Sequence, residues 1–334
     1  MTESSTTPFV CPDTLEPLRL NIAADRLEAS HASYPIRDGI PSFVSATLLE
    51  DQTIRSFAQK WSKHKYYRSH TAEFYTNWYL QRYGFHEADQ LRTMLTGAKF
   101  ILDAGTGMGR DAVNLASHSN ATVFALDTAW EALSVARREV DEERVRFVHA
   151  DINHLPFPSE FFDMINCDQV IHHTPRPQET FKHLGSKLKR GGRICCYVYR
   201  KKAVIREFVD DYMRDRISGL AFEEAESVCD GITKLGRSLS KLNATVEIEQ
   251  DIPILGIKKG KMDVQRFIHW NIMKCFWNDE FDYFTNNVVN VDWYHPAHCH
   301  RYVPDEFRAW FSEGWEIEAF DVREAGISCR ARKL

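Results

Sequence analysis

Two different periods of hydrophobic residues follow one another along this chain. Between Lys99 and Arg200, short apolar runs rich in β-branched and aromatic residues alternate with stretches of helical period. The apolar runs are FILDAG, TVFALD, VRFVHAD, FFDMINCD and RICCYVYR. Strands that alternate with helices predict an α/β fold with a mostly parallel sheet covered on both faces, because each parallel connection requires a crossover.

The segments on either side of this region have other patterns. Phe9–Val44 consists of short apolar runs separated by turns, which predicts a small β unit. Leu48–Leu95 has a helical period, is rich in aromatic residues and is broken once by Gly84, so it predicts two or three helices. Lys201–Tyr302 begins with a helical pattern and ends in an aromatic-rich stretch. We expect this last segment to form a largely helical lid over the sheet.

The end of the chain predicts a helix and a hairpin that complete the sheet. The stretch VPDEFRAWFSEGW places Pro304 near the start of a helix and Gly314 at its C-cap. WEIEAFDVRE and GISCRARKL then predict a hairpin that adds an antiparallel closing strand. We therefore expect a β segment at 1–45, a helical cap at 46–96, an α/β core at 97–200, an insertion at 201–302, and the last helix and hairpin at 303–334.

Composition excludes several classes of protein. The 334 residues are 43% hydrophobic and 27% charged, which is typical of a folded globular chain. The formal net charge of −5 argues against a general affinity for nucleic acid or for an anionic membrane. The sequence contains no apolar run long enough for a membrane span and no signal-peptide pattern at its start, so we expect a cytoplasmic protein. Its eight cysteines include no Cys-x-x-Cys pair and are expected to be reduced.

The most informative segment is ILDAGTGMGRDAV, residues 101–113. An apolar strand ends at Asp103 and is followed by glycines at every second position from Gly105 to Gly109, just before a helix. Backbone N–H groups and a helix N-terminus then converge beyond the carboxyl end of a strand, which predicts a ligand-binding loop. A dinucleotide loop, G-x-G-x-x-G, would need a glycine where this chain has Arg110, so the spacing disfavours a dinucleotide.

Acidic residues follow the next two strands. TVFALD ends in Asp127, about twenty residues beyond the glycine loop, where a carboxylate can accept hydrogen bonds from a ribose diol. The third strand is followed by Asp151, which can meet an adenine amino group along the same edge. Either aspartate could instead cap the structure that follows it, Asp127 as a helix N-cap and Asp151 in a turn, and one residue can do both.

The ordered segments DAGTGMG, LDTAWEAL, HADINHLPFPSEFFD, DQVIHHTPRP and LKRGGRICCYVYR resemble the class I S-adenosylmethionine-dependent methyltransferases. The resemblance covers about Lys99 to Arg200 and the final helix and hairpin. It implies a Rossmann-like sheet and S-adenosylmethionine as cofactor. It further implies that the methionine end is lined by Asp103, Gly105, Gly107 and Gly109, the ribose is held by Asp127, the adenine by Asp151 and Ile152, and the reacting centre is bordered by Asp168 and Gln169. The same resemblance assigns the remaining residues of the two loops to the cofactor site, namely Ala104, Thr106, Arg110 and Thr128.

Candidate catalytic residues follow the fourth strand. His172 and His173 lie where a substrate approaches the methyl group, and an imidazole titrates near neutral pH, which suits a general base. Gln169 is the third candidate. Alternatively, one histidine bonds the backbone in the turn before Pro175.

Two segments raise the question of a metal, and we expect none in either. CPDTLEPL and YPIRDGIPSFV resemble the small zinc-ribbon unit of the Trm112-like type, but only Cys11 remains of its cysteines and Thr14 takes its partner's place. We expect a metal-free remnant used for packing or for a homodimer contact. His295, His298, Cys299 and His300 are also clustered, and we expect them in the substrate pocket or in packing.

The aromatic residues of the cap and insertion predict an aromatic roof over the site. The residues concerned are Tyr66, Tyr67, Phe74, Tyr75, Trp78, Tyr79, Trp270, Trp277, Phe281, Tyr283, Phe284, Trp293 and Tyr294. Ring faces attract a sulfonium cation, and a closed roof favours a small substrate. We expect a small-molecule methyltransferase, of secondary metabolism, that releases S-adenosylhomocysteine. Two alternatives stay open. One is an intramolecular cyclase, such as an azetidine-2-carboxylate synthase, or a lyase that releases methylthioadenosine. The other is a non-catalytic cofactor-binding protein.

Overall fold

The computed structural model describes residues 6–63 and 76–334, and its centre is a mixed sheet of eight strands. Six of these strands lie between the start of the core and the end of the insertion, and the other two form the terminal hairpin. They are β6 (Phe100–Ala104), β7 (Thr122–Asp127), β8 (Val145–His149), β9 (Phe162–Cys167), β10 (Leu188–Arg200), β13 (Arg301–Tyr302), β14 (Trp315–Val322) and β15 (Gly326–Lys333). Strands β1–β5, defined below, belong to a separate sheet.

The order across the large sheet is β14-β15-β10-β9-β6-β7-β8, with the short β13 beside the end of β10. Strands β6 to β10 are parallel to their neighbours in this order, whereas β15 is antiparallel to both β10 and β14. This confirms the predicted fold class, a mostly parallel sheet with an antiparallel closing strand. β6 lies between β7 and β9. The chain continues from β6 to β7 and β8 on one side and then crosses back to β9 on the other side. A crevice opens at the carboxyl ends of the strands where the order reverses.

Helices cover both faces of the sheet, as the alternating pattern predicts. They are α3 (Ala88–Met94), α4 (Arg110–Ser117), α5 (Trp130–Glu139), α6 (Pro177–Lys187) and α11 (Pro304–Arg308). Successive strand residues enter different cores: Ile101 packs with α3, α4 and α5, whereas Leu102 packs with α6 and α11. Both residues are fully buried. Since side chains alternate along a strand, a continuous apolar run supplies both cores at once.

Residues 6–41 form the predicted small β unit, an antiparallel sheet packed against the core. Its strands are β1 (Thr6–Val10), β2 (Pro17–Asn21), β3 (Arg26–Glu28), β4 (Ser33–Arg37) and β5 (Ile40–Pro41). The Phe9 ring lies 5.3 Å from that of Phe157, between ring centroids. The Ser42 hydroxyl lies 2.8 Å from Nδ1 of His149 at the end of β8. The unit therefore supports the edge of the sheet beside the crevice.

The cap and the insertion lie over the carboxyl ends of the strands. Their helices are α1 (Gln52–Lys63), α2 (described over 76–82), α7 (Val204–Ile217), α8 (Phe222–Ser240), α9 (Val264–Asn271) and α10 (Tyr283–Tyr294). A hairpin of β11 (Thr245–Ile248) and β12 (Gly260–Asp263), which the helical pattern did not predict, separates α8 from α9. The predicted aromatic residues Tyr66, Tyr67, Phe74 and Tyr75 lie outside the described residues.

The final helix is shorter than its pattern predicts, because α11 ends at Arg308 and a single 3-10 turn, Ala309–Phe311, follows it. Its start is capped by the Glu306 carboxylate, which accepts a bond from the Val303 N–H at 3.0 Å. Gly314 adopts the left-handed conformation expected of a residue after a helix, with φ 74°. In the part of the chain that the structure describes, no helix has the length and apolar character needed to cross a membrane.

Candidate functional site

A cavity of about 320 Å³ opens at the carboxyl ends of the parallel strands, beneath α1 and α10. Its volume lies within the range of small-molecule sites. Eleven of the predicted site residues line it, namely Gly105, Thr106, Gly107, Arg110, Asp127, Thr128, Asp151, Ile152, Asp168, Gln169 and His173. The other four, Asp103, Ala104, Gly109 and His172, lie outside this lining.

The glycine loop is supported from below by Asp103, which ends the apolar part of β6. Its carboxylate accepts bonds from the Thr106 hydroxyl at 2.6 Å and from Nδ2 of Asn166 at 2.8 Å. Asp103 is 2% exposed, and burial raises the pKa of its carboxyl to about 7. The structure thus corrects our expectation that Asp103 contacts the methionine end. This residue, like Ala104 beside it, shapes the loop from behind.

Each glycine of the loop has a left-handed φ, at +82° for Gly105, +53° for Gly107 and +79° for Gly109. A Cβ on Gly105 would lie 2.3 Å from a methyl carbon of Val170, so only glycine fits there. Gly107 lies against the Trp61 indole of α1. Gly109 is the N-cap residue of α4 and shapes the turn without lining the cavity. The loop backbone, rather than its side chains, therefore forms this part of the lining.

Asp127 at the end of β7 accepts bonds from two main-chain N–H groups, although the N-cap residue of α5 is Ala129 and not Asp127. One carboxylate oxygen accepts a bond from the Ala129 N–H at 2.8 Å, at the start of α5. The other accepts from the Gly107 N–H at 2.8 Å and so ties the glycine loop to the second strand. Burial raises the pKa of this carboxyl, while these backbone bonds act in the opposite direction. Each oxygen keeps a second lone pair, so the half-buried carboxylate can still accept bonds from two hydroxyl groups in the cavity.

Asp151 follows β8 in a comparable way. One of its carboxylate oxygens accepts bonds from the main-chain N–H of Asn153 at 2.9 Å and from the side-chain Nδ2 of that residue at 2.8 Å. The second oxygen lies 3.7 Å from Nδ1 of His154. Ile152 beside it is 6% exposed and adds an apolar surface to the cavity. This corner therefore combines one acceptor with one flat apolar contact, as an adenine requires.

Asp168 follows β9. Two side chains hold it: Arg82 at the end of α2 and Tyr83, the next residue. The Arg82 guanidinium forms a buried ion pair with Asp168, and the Tyr83 hydroxyl donates to the same carboxylate at 2.7 Å. The Arg82 guanidinium carbon lies 3.9 Å from the ring centroid of Trp78. Gln169 has a left-handed φ of 60° and donates from Nε2 to Asp168 at 3.1 Å. Nothing in the sequence pattern linked Arg82 to the site.

The two adjacent histidines have different environments. His173 lines the cavity, and its Nδ1–H donates to the main-chain oxygen of His298 at 2.7 Å, which leaves Nε2 as the acceptor. Burial lowers the pKa of His173 to about 3. His172 is fully buried and lies outside the cavity lining. Its ring centroid lies 3.8 Å from that of Tyr199, with the ring planes tilted by 37°. We therefore withdraw His172 as a candidate base, because a substrate in the cavity cannot reach it.

The opposite side of the cavity comes from α1 and the insertion, and sequence reasoning missed most of it. Lys60 of α1 donates to Asp292 of α10 at 2.6 Å, and the Lys60 ammonium lies 4.2 Å from the Trp61 ring centroid. Val289 and Lys274 line the same side. Other residues there are Leu48, Asp51, Thr53, Ile54, Phe57 and Tyr199. Lys60 and Asp292 are 232 positions apart, and no local pattern connects them.

The histidine cluster before β13 joins the insertion to α1. His295 Nδ1 lies 2.8 Å from the Ser56 hydroxyl, and the main-chain oxygen of His295 accepts a bond from Gln52 Nε2 at 2.8 Å. Within the described ranges, no group of three or more His, Cys, Asp or Glu side chains is arranged to hold a metal ion. Cys11 of the N-terminal unit contacts the Tyr34 hydroxyl at 3.2 Å.

The sheet order, the glycine loop after β6 and the aspartates after β7 and β8 are arranged as the resemblance to the class I S-adenosylmethionine-dependent methyltransferases implies. Consistent with this, residues 102–196 match the family model described as a methyltransferase domain. The match covers β6 through most of β10. The cap, most of the insertion and the N-terminal unit lie outside it.

Curated relatives align with the same region. The chain is 35% identical over 117 residues to a demethylmenaquinone methyltransferase of Clavibacter sepedonicus, which covers 34% of this chain and 47% of that protein. It is 30% identical over 98 residues to a ubiquinone biosynthesis O-methyltransferase of Coxiella burnetii, covering 29% of this chain and 42% of that protein. The chain thus spans less than half the length of these relatives.

A solved S-adenosylmethionine-dependent methyltransferase from Mesorhizobium loti aligns over 74% of this chain and 99% of its own length. Its sequence identity is 16% and its TM-score is 0.42.

Proposed function

We propose that this protein transfers a methyl group from S-adenosylmethionine to a small molecule. One observation carries the proposal. A single cavity has the glycine loop, Asp127 and Asp151 on one side and a separate set of aromatic and ionisable side chains on the other. A cofactor with a ribose and an adenine matches the first side, and the second side remains for an acceptor.

The residues present fit the cofactor. The left-handed glycines Gly105 and Gly107 let Val170 and Trp61 pack against the loop, and both glycines line the cavity. Asp127 keeps unused acceptor capacity toward the cavity, as a ribose diol requires. When bound, S-adenosylmethionine supplies an electrophilic methyl group on a sulfonium. The Trp61 and Tyr199 rings, which also line the cavity, add aromatic surface suited to a cation.

The protein's own contribution is to hold an acceptor in line with that methyl group and to exclude water. Near-attack positioning contributes roughly 7–11 kcal/mol to reactions of this kind and needs no covalent enzyme intermediate. The roof suits this role, because α1 is fastened to the segment after α10 by Gln52, which also accepts a bond from the Ala297 N–H at 2.7 Å. A cavity closed in this way favours a small acceptor over a polymer.

The relatives support a small acceptor. The printed names of two of them refer to demethylmenaquinone and to ubiquinone biosynthesis, and both quinones are small molecules. The formal net charge of −5 favours neither nucleic acid nor an anionic membrane as the partner. A place in secondary metabolism and in the cytoplasm belongs to the same proposal.

The test begins with the purified protein and S-adenosylmethionine alone, followed by calorimetry and mass spectrometry. We expect the cofactor to bind and to stay intact until a panel of small phenols and enols is added, after which S-adenosylhomocysteine and a methylated product form together. Methylthioadenosine released without an acceptor would instead establish the cyclase or lyase alternative. Tight binding with no product from any panel member would favour a binding protein.

A further inference from the structure

Lys274 is a buried amine that opens into the acceptor side of the cavity. The residue is 8% exposed and lines the cavity just after α9. Its ammonium lies 4.7 Å from the Trp293 ring centroid, so the stem and head group are held against an aromatic surface. Nothing in the sequence pattern singled it out.

The backbone at Lys274 is fixed by a buried carboxylate of the insertion. The main-chain N–H of Lys274 donates to Asp210 at 2.9 Å. The Asp210 carboxylate also accepts bonds from Arg206 Nε at 3.0 Å, from Trp293 Nε1 at 2.8 Å and from the Tyr294 hydroxyl at 2.8 Å. Four donors thus occupy this carboxylate, and none of them is the Lys274 side chain. The insertion places the lysine firmly without supplying it with a bonded counter-ion.

The other cations of the cavity lining are paired, and Lys274 is the exception within residues 6–63 and 76–334. Lys60 contacts Asp292, and Arg110 contacts Asp111. In the same described part of the chain, the Lys274 side chain takes part in no hydrogen bond or ion pair. A buried cation without a bonded anion is unfavourable, so this amine favours either the neutral form or an anion supplied by a ligand.

Titratable groups surround Lys274 on several elements, and their effects on its pKa do not cancel. Burial and the nearby Arg206 lower the pKa of the Lys274 ammonium to about 7, against the opposing effect of Asp210 and Asp292. The amine is therefore present in both protonation states near neutral pH. The other titratable groups that interact with it are Lys202, Cys229, His269 and Cys299.

Ring contacts connect Lys274 to the reacting end of the cavity. The Trp293 ring that carries the lysine lies 4.8 Å from the Tyr199 ring, between centroids. The Tyr199 ring lies 5.5 Å from that of His173, which follows the fourth parallel strand. Lys274, Tyr199 and His173 all line the same cavity. Lys274 therefore belongs to the same cavity as Tyr199 and His173, and this chain of ring contacts connects it to His173.

We propose that Lys274 is the catalytic base of this enzyme and that its acceptor is an acidic hydroxyl, a phenol or an enol. This inference rests on the proposed methyl transfer. The neutral amine takes the proton of the hydroxyl and then pairs, as ammonium, with the oxygen anion. The oxygen forms its bond to the methyl carbon as the bond from that carbon to sulfur breaks, and the thioether leaves with the electron pair. The ammonium afterwards returns its proton to solvent.

His173 is a weaker candidate for this step. Its pKa of about 3 makes it a poor proton acceptor, although its free Nε2 can still orient the acceptor. An acidic hydroxyl matches an amine that titrates near neutrality, because proton transfer between groups of similar pKa is nearly balanced. An aliphatic alcohol would not be ionised by this lysine.

The test uses 4-nitrophenol, whose ionised form absorbs visible light, with S-adenosylhomocysteine present in excess. Four proteins are compared: the wild type, Lys274→Met, Lys274→Arg, and Lys258→Met as a matched control. Lys258 is an exposed lysine paired with Asp251, and it lies outside the cavity lining. Calorimetry first measures S-adenosylhomocysteine binding in each protein, and melting curves establish that each is folded.

We expect the wild type and Lys258→Met to bind 4-nitrophenol in its ionised form below the pH at which the free compound ionises. In Lys274→Met, affinity for the ionised probe should fall roughly tenfold or more, because a charge-assisted bond is lost. Lys274→Arg should still bind the ionised probe, because arginine keeps a permanent charge, but it should not methylate a phenol with S-adenosylmethionine at the wild-type rate, because a guanidinium cannot accept a proton near neutral pH. Binding of S-adenosylhomocysteine should not change among the four proteins.

The outcomes separate this inference from the proposed function. If the wild type binds S-adenosylhomocysteine but does not bind the probe, or ionises it to the same extent as Lys274→Met, the role of Lys274 is disproved while methyl transfer stands. If the wild type does not bind S-adenosylhomocysteine, both proposals fail. A wild-type visible absorbance that Lys274→Met lacks, together with loss of phenol methylation in Lys274→Arg, supports the inference. Phenol methylation by Lys274→Arg at the wild-type rate would show that Lys274 supplies only a positive charge and would overturn its role as the base.

Discussion

The two sides of the cavity are built in different ways. The cofactor side comes from loops that follow successive parallel strands, and its contacts are backbone N–H groups and carboxylates within Gly105–Asp168. The acceptor side comes from α1 and from the insertion, whose contributing residues lie more than two hundred positions apart in the chain. The first side depends on local backbone geometry. The second depends on how distant helices pack together.

This difference explains which substitutions each side of the cavity can tolerate. A loop that needs left-handed glycines and a carboxylate at a fixed strand end tolerates few substitutions. Side chains on helices can be replaced without changing the backbone path. We therefore expect single substitutions on the cofactor side to weaken cofactor binding. Substitutions on the acceptor side should change which acceptor is preferred while the fold persists.

Asp168 lies where the two sides meet, and removing its partner is the largest perturbation that we predict. Arg82→Met should lower the free energy of unfolding by about 3–5 kcal/mol, because it leaves a buried carboxylate unpaired. Urea unfolding measures this loss. Arg92→Met is the control, since Arg92 and its partner Asp89 are both exposed, and a change within about 0.5 kcal/mol is expected there. Equal effects of the two variants would contradict a structural role for the buried pair.

Asp127→Ala separates the two sides by disabling one of them. Loss of the carboxylate removes the bond that ties the Gly107 N–H to β7, together with the expected ribose contacts. S-adenosylmethionine affinity measured by calorimetry should fall by about 2–3 kcal/mol, roughly 30-fold to 150-fold. Asp141→Ala, at an exposed position after α5, should bind as the wild type does. Undiminished affinity in Asp127→Ala would show that the ribose lies elsewhere.

Two glycines with similar φ values test whether steric contact at the Cβ position, in addition to φ, sets the stability cost of a substitution in the loop. Gly105 has φ +82° and no room for a Cβ, whereas Gly97 has φ +80° and nothing within 4 Å of that position. Gly105→Ala should cost about 1–3 kcal/mol more in unfolding free energy than Gly97→Ala, because it adds a steric clash with Val170 to the backbone strain. Denaturant unfolding of both variants gives the difference. Equal losses of unfolding free energy would mean that the loop shifts to accommodate the added Cβ at little cost.

The ion pair between Lys60 and Asp292 tests the acceptor side with the smallest expected effect. This pair joins α1 to α10 at 2.6 Å, with side chains 8% and 21% exposed. A double-mutant cycle of Lys60→Met and Asp292→Asn should give a coupling energy of about 1 kcal/mol in unfolding. S-adenosylmethionine affinity should change little in any member of the cycle. No coupling would mean that the roof is held by its other contacts alone.

Much of the cofactor side could be predicted from the sequence, because each of its features is local. The glycine spacing, Asp127 and Asp151 all follow predicted strands, and parallel strands bring their carboxyl ends to one edge. The parallel sheet was predicted from the alternation of strands and helices, and the closing hairpin from the last two apolar runs of the chain. The sequence could not show that Asp103 supports the loop from behind, because this depends on Asn166 of another strand.

The acceptor side was largely unpredictable for the same physical reason. Lys60, Lys274 and Asp292 are ordinary surface-type residues in their local patterns, and only packing of the insertion brings them to one cavity. His172 and His173 are adjacent in sequence, yet one turn of 3-10 helix buries the first and leaves the second in the cavity lining. Of the aromatic residues predicted for the roof, none that the structure describes lines the cavity, whose aromatic lining comes from Phe57, Trp61 and Tyr199 instead.

The insertion leaves the sheet and returns to it at neighbouring points. Tyr199 and Arg200 at the end of β10 pair directly with Arg301 and Tyr302 of β13, although about a hundred residues separate them. The two junctions are thus spaced like adjacent strands, whatever lies between them. A chimaera that exchanges residues 201–300 for the corresponding loop of another member of the fold would meet the same anchor points. Under the proposed function, such an exchange would replace the insertion's part of the acceptor side and leave the cofactor side, which lies outside residues 201–300, unchanged.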